Sequence, residues 1–444
     1  MKAYPEYKAS GIDWLGDIPR HWKVAPIKTL LSKSSAGVWG DEAKEDGTDI
    51  VCFRVADFDY PRLVLKYNNI TFRNVTPSQV KGREVEYGDI VIEKSGGGDL
   101  NPVGRAVMST YKEKATCSNF MHVISANHRA TNPFLNYLLA TIYGKGLNRL
   151  YFAQTTGIQN LNIRGYLAQR VALPPVAEQE AIVAYLDEVT GKVDALIAEK
   201  RQQVDDLRAY RTSLITETVT RGLNPDAPLR PSGIDWLGDI PQHWETSKLK
   251  YIGEARNGLT YSPDDICEQG KGVLVLRSSN IQNEQLCLED NVYVSKEVDE
   301  LMMKEGDILI CSRNGSASLV GKCAIIPKGV NASFGAFMMR YRSIINKRFT
   351  LYLVRTTLAQ HKAQFATSTI NQLTNAMIGN MQVAVPPLAE QQSIADFLDA
   401  KTAKIDELIS ELTKQIDELT EYKQAVITEA VTGKVDVRDY KPSN

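Results

Sequence analysis

Lys94-Ser95-Gly96-Gly97-Gly98-Asp99, followed by Arg105, is rich in groups that bind phosphate and base edges. Ser312-Arg313-Asn314-Gly315-Ser316, followed by Lys322, repeats that makeup. Arg, Lys, Asn and Ser donate to phosphate oxygens and base acceptors, while small residues let the backbone approach closely. The candidate contact residues are therefore Lys94, Ser95, Gly96, Gly97 and Arg105, then Arg313, Asn314, Ser316 and Lys322. The same composition also suits a tight turn that simply needs glycine. Neither stretch is a Walker loop, because no Gly-Lys-Ser/Thr follows and no helix opens.

A second polar motif closes each half of the chain. Thr156-Gly157-Ile158-Gln159-Asn160-Leu161 is answered by Ser368-Thr369-Ile370-Asn371-Gln372-Leu373. Thr155, Thr156, Gln159 and Asn160 suit two roles, contact with nucleic acid or capping of a junction. Catalytic constellations are missing. Both Pro-Pro pairs follow Leu173 or Val385, so no Asn/Asp-Pro-Pro-aromatic motif exists to hold a flipped adenine. Six cysteines lie scattered without a CxxC pair and five histidines are equally dispersed, which predicts reduced thiols and no zinc. The chain reads as a non-enzyme that needs no cofactor.

These motifs sit on a duplicated scaffold. Ser-Gly-Ile-Asp-Trp-Leu-Gly-Asp-Ile-Pro-x-His-Trp stands at 10–22 and again at 232–244, differing only at Arg20 and Gln242. Ala172-Leu173-Pro174-Pro175-Val176-Ala177-Glu178-Gln179 likewise returns as Ala384-Val385-Pro386-Pro387-Leu388-Ala389-Glu390-Gln391. Between these blocks the halves share only fragments, such as Gly88-Asp89-Ile90 with Gly306-Asp307-Ile308. A period of half the chain implies a tandem repeat with two different working surfaces. Trp14, Trp22, Trp236 and Trp244 read as core anchors, with His21 and His243 packed beside them.

Each Pro-Pro pair opens about forty residues with no further proline. Pro is tolerated at a helix start, and Glu178 and Glu390 then fall in the first turn, where the helix dipole favours them. Apolar residues recur largely at steps of three and four: Leu186, Val189, Val193, Leu196, Val204, Leu207 and Leu214 in one copy, Leu398, Ile405, Leu408, Leu412, Ile416, Leu419, Tyr422 and Val426 in the other. That spacing predicts a coiled-coil seam, imperfect where Lys200 stands opposite in kind to Leu412. Gly222 and Gly433 are placed as C-terminal caps. If the helices pair, connectivity makes them antiparallel. The expected fold is α+β: two mixed α/β heads joined by two long antiparallel coiled-coil helices in a pseudo-twofold circular repeat. The boundaries fall at 1–173 and 223–385 for the heads, 174–222 and 386–434 for the helices, and 435–444 for a tail. Strands are expected at 50–55, 88–92, 273–276 and 307–310, and helices at 134–142 and 349–358.

With 43% hydrophobic and 24% charged residues the composition is that of a soluble globular protein. No stretch approaches a membrane span and no apolar leader opens the chain, so a cytoplasmic protein is expected. The net charge of −1 hides a segregation. The segments 178–220 and 390–430 hold nine acids against five bases and ten against four, leaving 43 bases and 34 acids elsewhere. The heads are basic and the helices acidic, as expected if only the heads face phosphate.

Taken in order, these motifs make the chain resemble the specificity subunit of type I restriction–modification systems. The resemblance rests on the duplicated Ser-Gly-Ile-Asp-Trp-Leu-Gly block, the Pro-Pro-x-Ala-Glu-Gln helix openings, and Gly-Asp-Ile with Val103-Gly104-Arg105 or Val320-Gly321-Lys322. It covers nearly the whole chain. It implies two target-recognition domains that each read half of a bipartite double-stranded DNA site. It also implies helices that set the gap, two modification (methyltransferase) subunits acting on adenine N6, and restriction/motor subunits. Two other classes remain: a coiled-coil adaptor that binds only protein, and a complete DNA methyltransferase, which the missing motifs disfavour.

Overall fold

The computed structural model describes residues 2–155, 158–296, 299–365 and 371–441. The chain divides into two compact units, residues 1–202 with 412–444 and residues 203–411.

In the first unit a six-stranded sheet runs in the order Leu31–Ala36, Met121–Ala126, Ile90–Glu93, Ala106–Met108, Val64–Leu65, Phe58–Asp59. Ile90, Val91 and Ile92 follow one another without alternation because both faces of this strand are covered. Ile90 and Ile92 enter a core with the helix Asn132–Gly144, while Val91 enters another around Phe53 and Val107.

The second unit repeats the device. Its four-stranded sheet runs Gly253–Asn257, Met338–Ser343, Ile308–Cys311, Cys323–Ile325. Ile308 and Ile310 face the helix Lys347–Gln360, and Leu309 and Cys311 face a core built on Leu276 and Phe334. The strands and helices expected from the sequence all form, within two or three residues at their ends. A side-chain N-cap starts each helix: the Phe134 N–H donates to Thr131 Oγ1, and the Phe349 N–H to Asn346 Oδ1.

The repeated motifs bind one another. Glu178, at the start of the long helix Val176–Arg221, accepts from the Trp22 indole at 2.9 Å and from the Tyr4 hydroxyl, with His21 Nε2 at 2.7 Å. Glu390, at the start of Leu388–Val431, accepts from the Trp244 indole at 3.0 Å, with His243 Nε2 at 2.8 Å. Trp22 and Trp244 are fully buried, whereas Trp14 and Trp236 are only partly so. The buried amides of Gln179 and Gln391 accept from the Thr131 and Asn346 N–H groups, tying each long helix to its head helix. Tyr137 and Tyr352 do the same by donating to Asp187 and Asp399.

Within the first unit the helices run antiparallel: Asp194 pairs with Lys423 at 2.6 Å and the Lys200 ammonium donates to Gln415 at 2.6 Å. Within the second, Arg211 pairs with Asp406 at 2.9 Å, in the same numerical register. The helices stop where expected. Gly222 and Gly433 take φ of +78° and +72°. A Cβ there would come within 3.1 Å of the Trp244 and Trp22 rings respectively, so glycine is needed twice over. The seam itself differs from the one the sequence suggests. Leu186, Val193, Ile197 and Val204 are buried on the first helix and Leu398, Ile405 and Val426 on the second, while Leu207, Leu412 and Leu419 are half-buried. Leu196 is 46% exposed: the antiparallel register turns the adjacent Ile197 inward instead.

Candidate nucleic-acid interface

In each unit the doubly buried strand fixes where the polar loop begins, and the chain's second polar motif is laid against that loop. In the first unit the Lys94 and Ser95 N–H groups donate to the Phe120 carbonyl at 2.9 and 3.1 Å. Ser95 faces Asn160 as a β-bridge, the Gly96 N–H donates to the Gln159 carbonyl, and the Leu161 N–H to the Lys94 carbonyl. In the second unit the Ser312 and Arg313 N–H groups donate to the Phe337 carbonyl at 3.0 and 3.1 Å. Arg313 faces Gln372, Asn314 faces Asn371, and the Leu373 N–H donates to the Ser312 carbonyl. The bonds thus make Lys94 equivalent to Ser312, Ser95 to Arg313, and Gly96 to Asn314. Two motifs some sixty residues apart become one polar edge, built twice with different side chains. Thr156, Gly157 and 368–370 lie outside the described residues.

The candidate residues divide sharply by environment. Ser95 is buried and its hydroxyl donates to Asn160 Oδ1 at 2.5 Å. Gly97 sits where two stretches of backbone approach closely, since a Cβ would meet the Val103 nitrogen at 2.6 Å and the Asn101 oxygen at 2.7 Å. Arg105 is paired at 2.8 Å with the buried Glu93 carboxylate. Burial pushes the Glu93 carboxyl above its usual range, and Arg105 pulls the other way. Lys94 is half-buried and Gly96 exposed, leaving these two open in the first unit. Cys311 and Lys322 occupy the places of Glu93 and Arg105 in the second unit, as their shared backbone bonds show. Lys322 there donates to the Ser278 carbonyl at 3.4 Å, and Ser316 is exposed. Arg313, Asn314 and Asn371 line a cleft of about 940 Å³ with Tyr261, Ser278 and Phe337.

Sequence reasoning missed Phe120 and Phe337. Both stand beside the loop in equivalent places and are 51% and 60% exposed. The available signal was a Phe-Met pair, Phe120-Met121 and Phe337-Met338, at the offset of the Val-Gly-Arg/Lys strand. His122, next along, has its imidazole pushed down to about 4 by burial and by the Lys94 charge.

A duplicated α+β scaffold with two unlike polar edges and paired long helices defines a two-headed recognition protein. The chain belongs to the type I restriction modification DNA specificity domain family, matched over residues 41–206 and 241–418. It is 29% identical over 217 residues to the EcoKI specificity subunit of Escherichia coli K12, covering 47% of each chain. The chain thus spans about half the length of that relative. It is 21% identical over 436 residues to the putative MjaX specificity subunit of Methanocaldococcus jannaschii, covering 96% of each. To the StySPI specificity subunit of Salmonella potsdam it is 22% identical over 447 residues, covering 95% of this chain and 90% of that one. A solved chain from a study of complex assembly and conformational transition in the type I R-M system shares the fold. Its TM-score is 0.71 at 17% identity, over 94% of this chain and 99% of that one.

Proposed function

We propose that this chain is the DNA-specificity subunit of a type I restriction–modification assembly and is not itself a catalyst. Each head reads one half of an asymmetric bipartite duplex site. The long helices set the gap between the halves and dock two modification subunits, which bring S-adenosylmethionine and methylate adenine N6. Restriction/motor subunits complete the assembly in the cytoplasm. Among the described residues no helix is long and apolar enough to cross a membrane.

The observation that carries this reading is the doubled polar edge. The backbone frame is the same in both units, yet Ser95 stands where Arg313 does and Gly96 where Asn314 does. A frame held constant under exchanged donors is what two different half-sites require, since sequence is read by side chains on base edges. The exposed apolar residues of the helices are duplicated too, Leu196 with Leu408 and Tyr210 with Tyr422, which suits two copies of one partner.

The test is the methylome of a methylation-free host expressing the chain with and without its cognate modification subunit. A bipartite adenine motif seen only with both is expected. No motif in either case would leave a protein-only adaptor.

A further inference from the structure

Among the described residues two arginines, Arg277 and Arg313, line the cleft of the second unit. Arg277 is engaged internally, since its guanidinium pairs with Asp290 at 2.8 Å. Asn314 Oδ1 accepts from the Ser316 N–H, and the Asn371 amide donates to the Gly315 carbonyl. Among the described residues no carboxylate pairs with Arg313. Its guanidinium carbon instead lies over the Phe337 ring, 5.2 Å from the centroid.

That contact is oddly placed for a stability role. Phe337 is 60% exposed, so the ring buries little of itself beneath the arginine. Its backbone is nonetheless fixed, because the Phe337 carbonyl accepts from both the Ser312 and Arg313 N–H groups. The backbones that carry ring and guanidinium are therefore joined at one point, on the wall of the cleft. Cation–π attraction restrains a side chain that would otherwise sample many rotamers.

A restrained guanidinium with free N–H groups matches one base edge best. Guanine presents O6 and N7 side by side in the major groove, and the arginine fork meets both at once. Adenine places a donor beside its N7 and so repels one arm of the fork. Resting on the DNA-reading function above, we propose that Arg313 determines specificity for a guanine in the half-site read by the second head. Phe337 is the positioning residue that holds it. The first head lacks this device: Phe120 stands in the same place, but the position of Arg313 is taken by Ser95, whose hydroxyl is already bonded.

The experiment uses the full chain expressed with its modification subunits in a methylation-free host, and reads the methylated motif. The wild-type motif should contain a guanine in one half-site. Arg313→Ala and Arg313→Lys should relax that position alone, by about 5- to 150-fold, the worth of one bidentate contact. Phe337→Ala should relax the same position, and Phe337→Trp, which keeps an aromatic face, should restore it. In binding assays, 7-deazaguanine at that position should weaken the wild type and leave Arg313→Ala unaffected.

Three results would overturn the proposal. Arg313→Ala could keep the wild-type motif at full base preference, which removes Arg313 from base reading. Arg313→Ala could lower methylation at every site with no change in base preference. Phe337→Ala could weaken both half-sites equally, which makes the ring structural. A wild-type chain that yields no motif at all would instead remove the DNA-reading function beneath the proposal.

Discussion

The Trp22 indole donates to the Glu178 carboxylate at 2.9 Å across 156 residues of sequence, and Trp244 repeats the bond to Glu390 at 3.0 Å. The two copies are not equally enclosed. The Glu178 side chain is 5% exposed and also accepts from Tyr4, while that of Glu390 is 26% exposed. Glu178→Ala would leave two buried donors unpaired, each worth about 1–3 kcal/mol. Urea denaturation should show a loss of about 2–4 kcal/mol for Glu178→Ala and roughly half that for Glu390→Ala. Equal losses would mean that enclosure does not set the strength of the clamp.

Arg105 and Lys94 were alike in the sequence as basic residues flanking a glycine loop, and the structure separates them. Arg105→Ala would strand the buried Glu93 carboxylate, which costs about 3–5 kcal/mol in fully enclosed pairs and less here, about 2–4, because Arg105 keeps 20% exposure. Lys94→Ala should leave stability nearly unchanged and reduce the salt slope of DNA affinity by about one. A folded Arg105→Ala protein of wild-type stability, with weakened DNA binding, would reverse this assignment.

His122 makes the first unit sensitive to acid. Burial and the Lys94 charge hold its imidazole down at about 4, against 6.5 in an unfolded chain. Above pH 6.5 neither state binds the proton and nothing is lost. As pH falls below 6.5 the unfolded chain takes the proton first, so stability drops until about pH 4, by at most about 3 kcal/mol. His122→Gln should flatten the denaturation profile between pH 7.5 and 4.5. An unchanged slope would assign the acid sensitivity to other groups.

Leu196 and Tyr422 are exposed on facing turns of the helices in the first unit, and Leu408 and Tyr210 in the second. Leu196→Glu with Tyr422→Ala should reduce the modification subunits bound per chain from two to one, read by native mass spectrometry. Loss of an apolar anchor of this kind costs about 2 kcal/mol or more, roughly a thirtyfold fall in affinity. Full occupancy in the variant would place the docking surface elsewhere.

The duplication, the strand positions and the helix limits were legible because each is a local pattern with a fixed period or cap. Partners were not. Nothing in the sequence joins Trp22 to Glu178 or Arg105 to Glu93, since both pairings depend on which strands and helices meet. The seam failed for a subtler reason. Leu196 and Ile197 are adjacent and equally apolar, so periodicity alone cannot choose between them; the ion pair of Asp194 with Lys423 fixes the register that does. Phe120 and Phe337 escaped because an exposed aromatic looks like any core residue until its surroundings are known.

The second unit is a single stretch of chain, but the first is completed by residues from Leu412 onward. Val426, Ile427, Ala430, Val431 and Val437 fill the same core as Trp22 and Ile90, and the Asp436 N–H donates to the Lys2 carbonyl at 2.9 Å. On the ribosome, the half made first is therefore the half finished last. Its apolar wall stays open to water, and to chaperones, until the residues beyond Leu412 have been made.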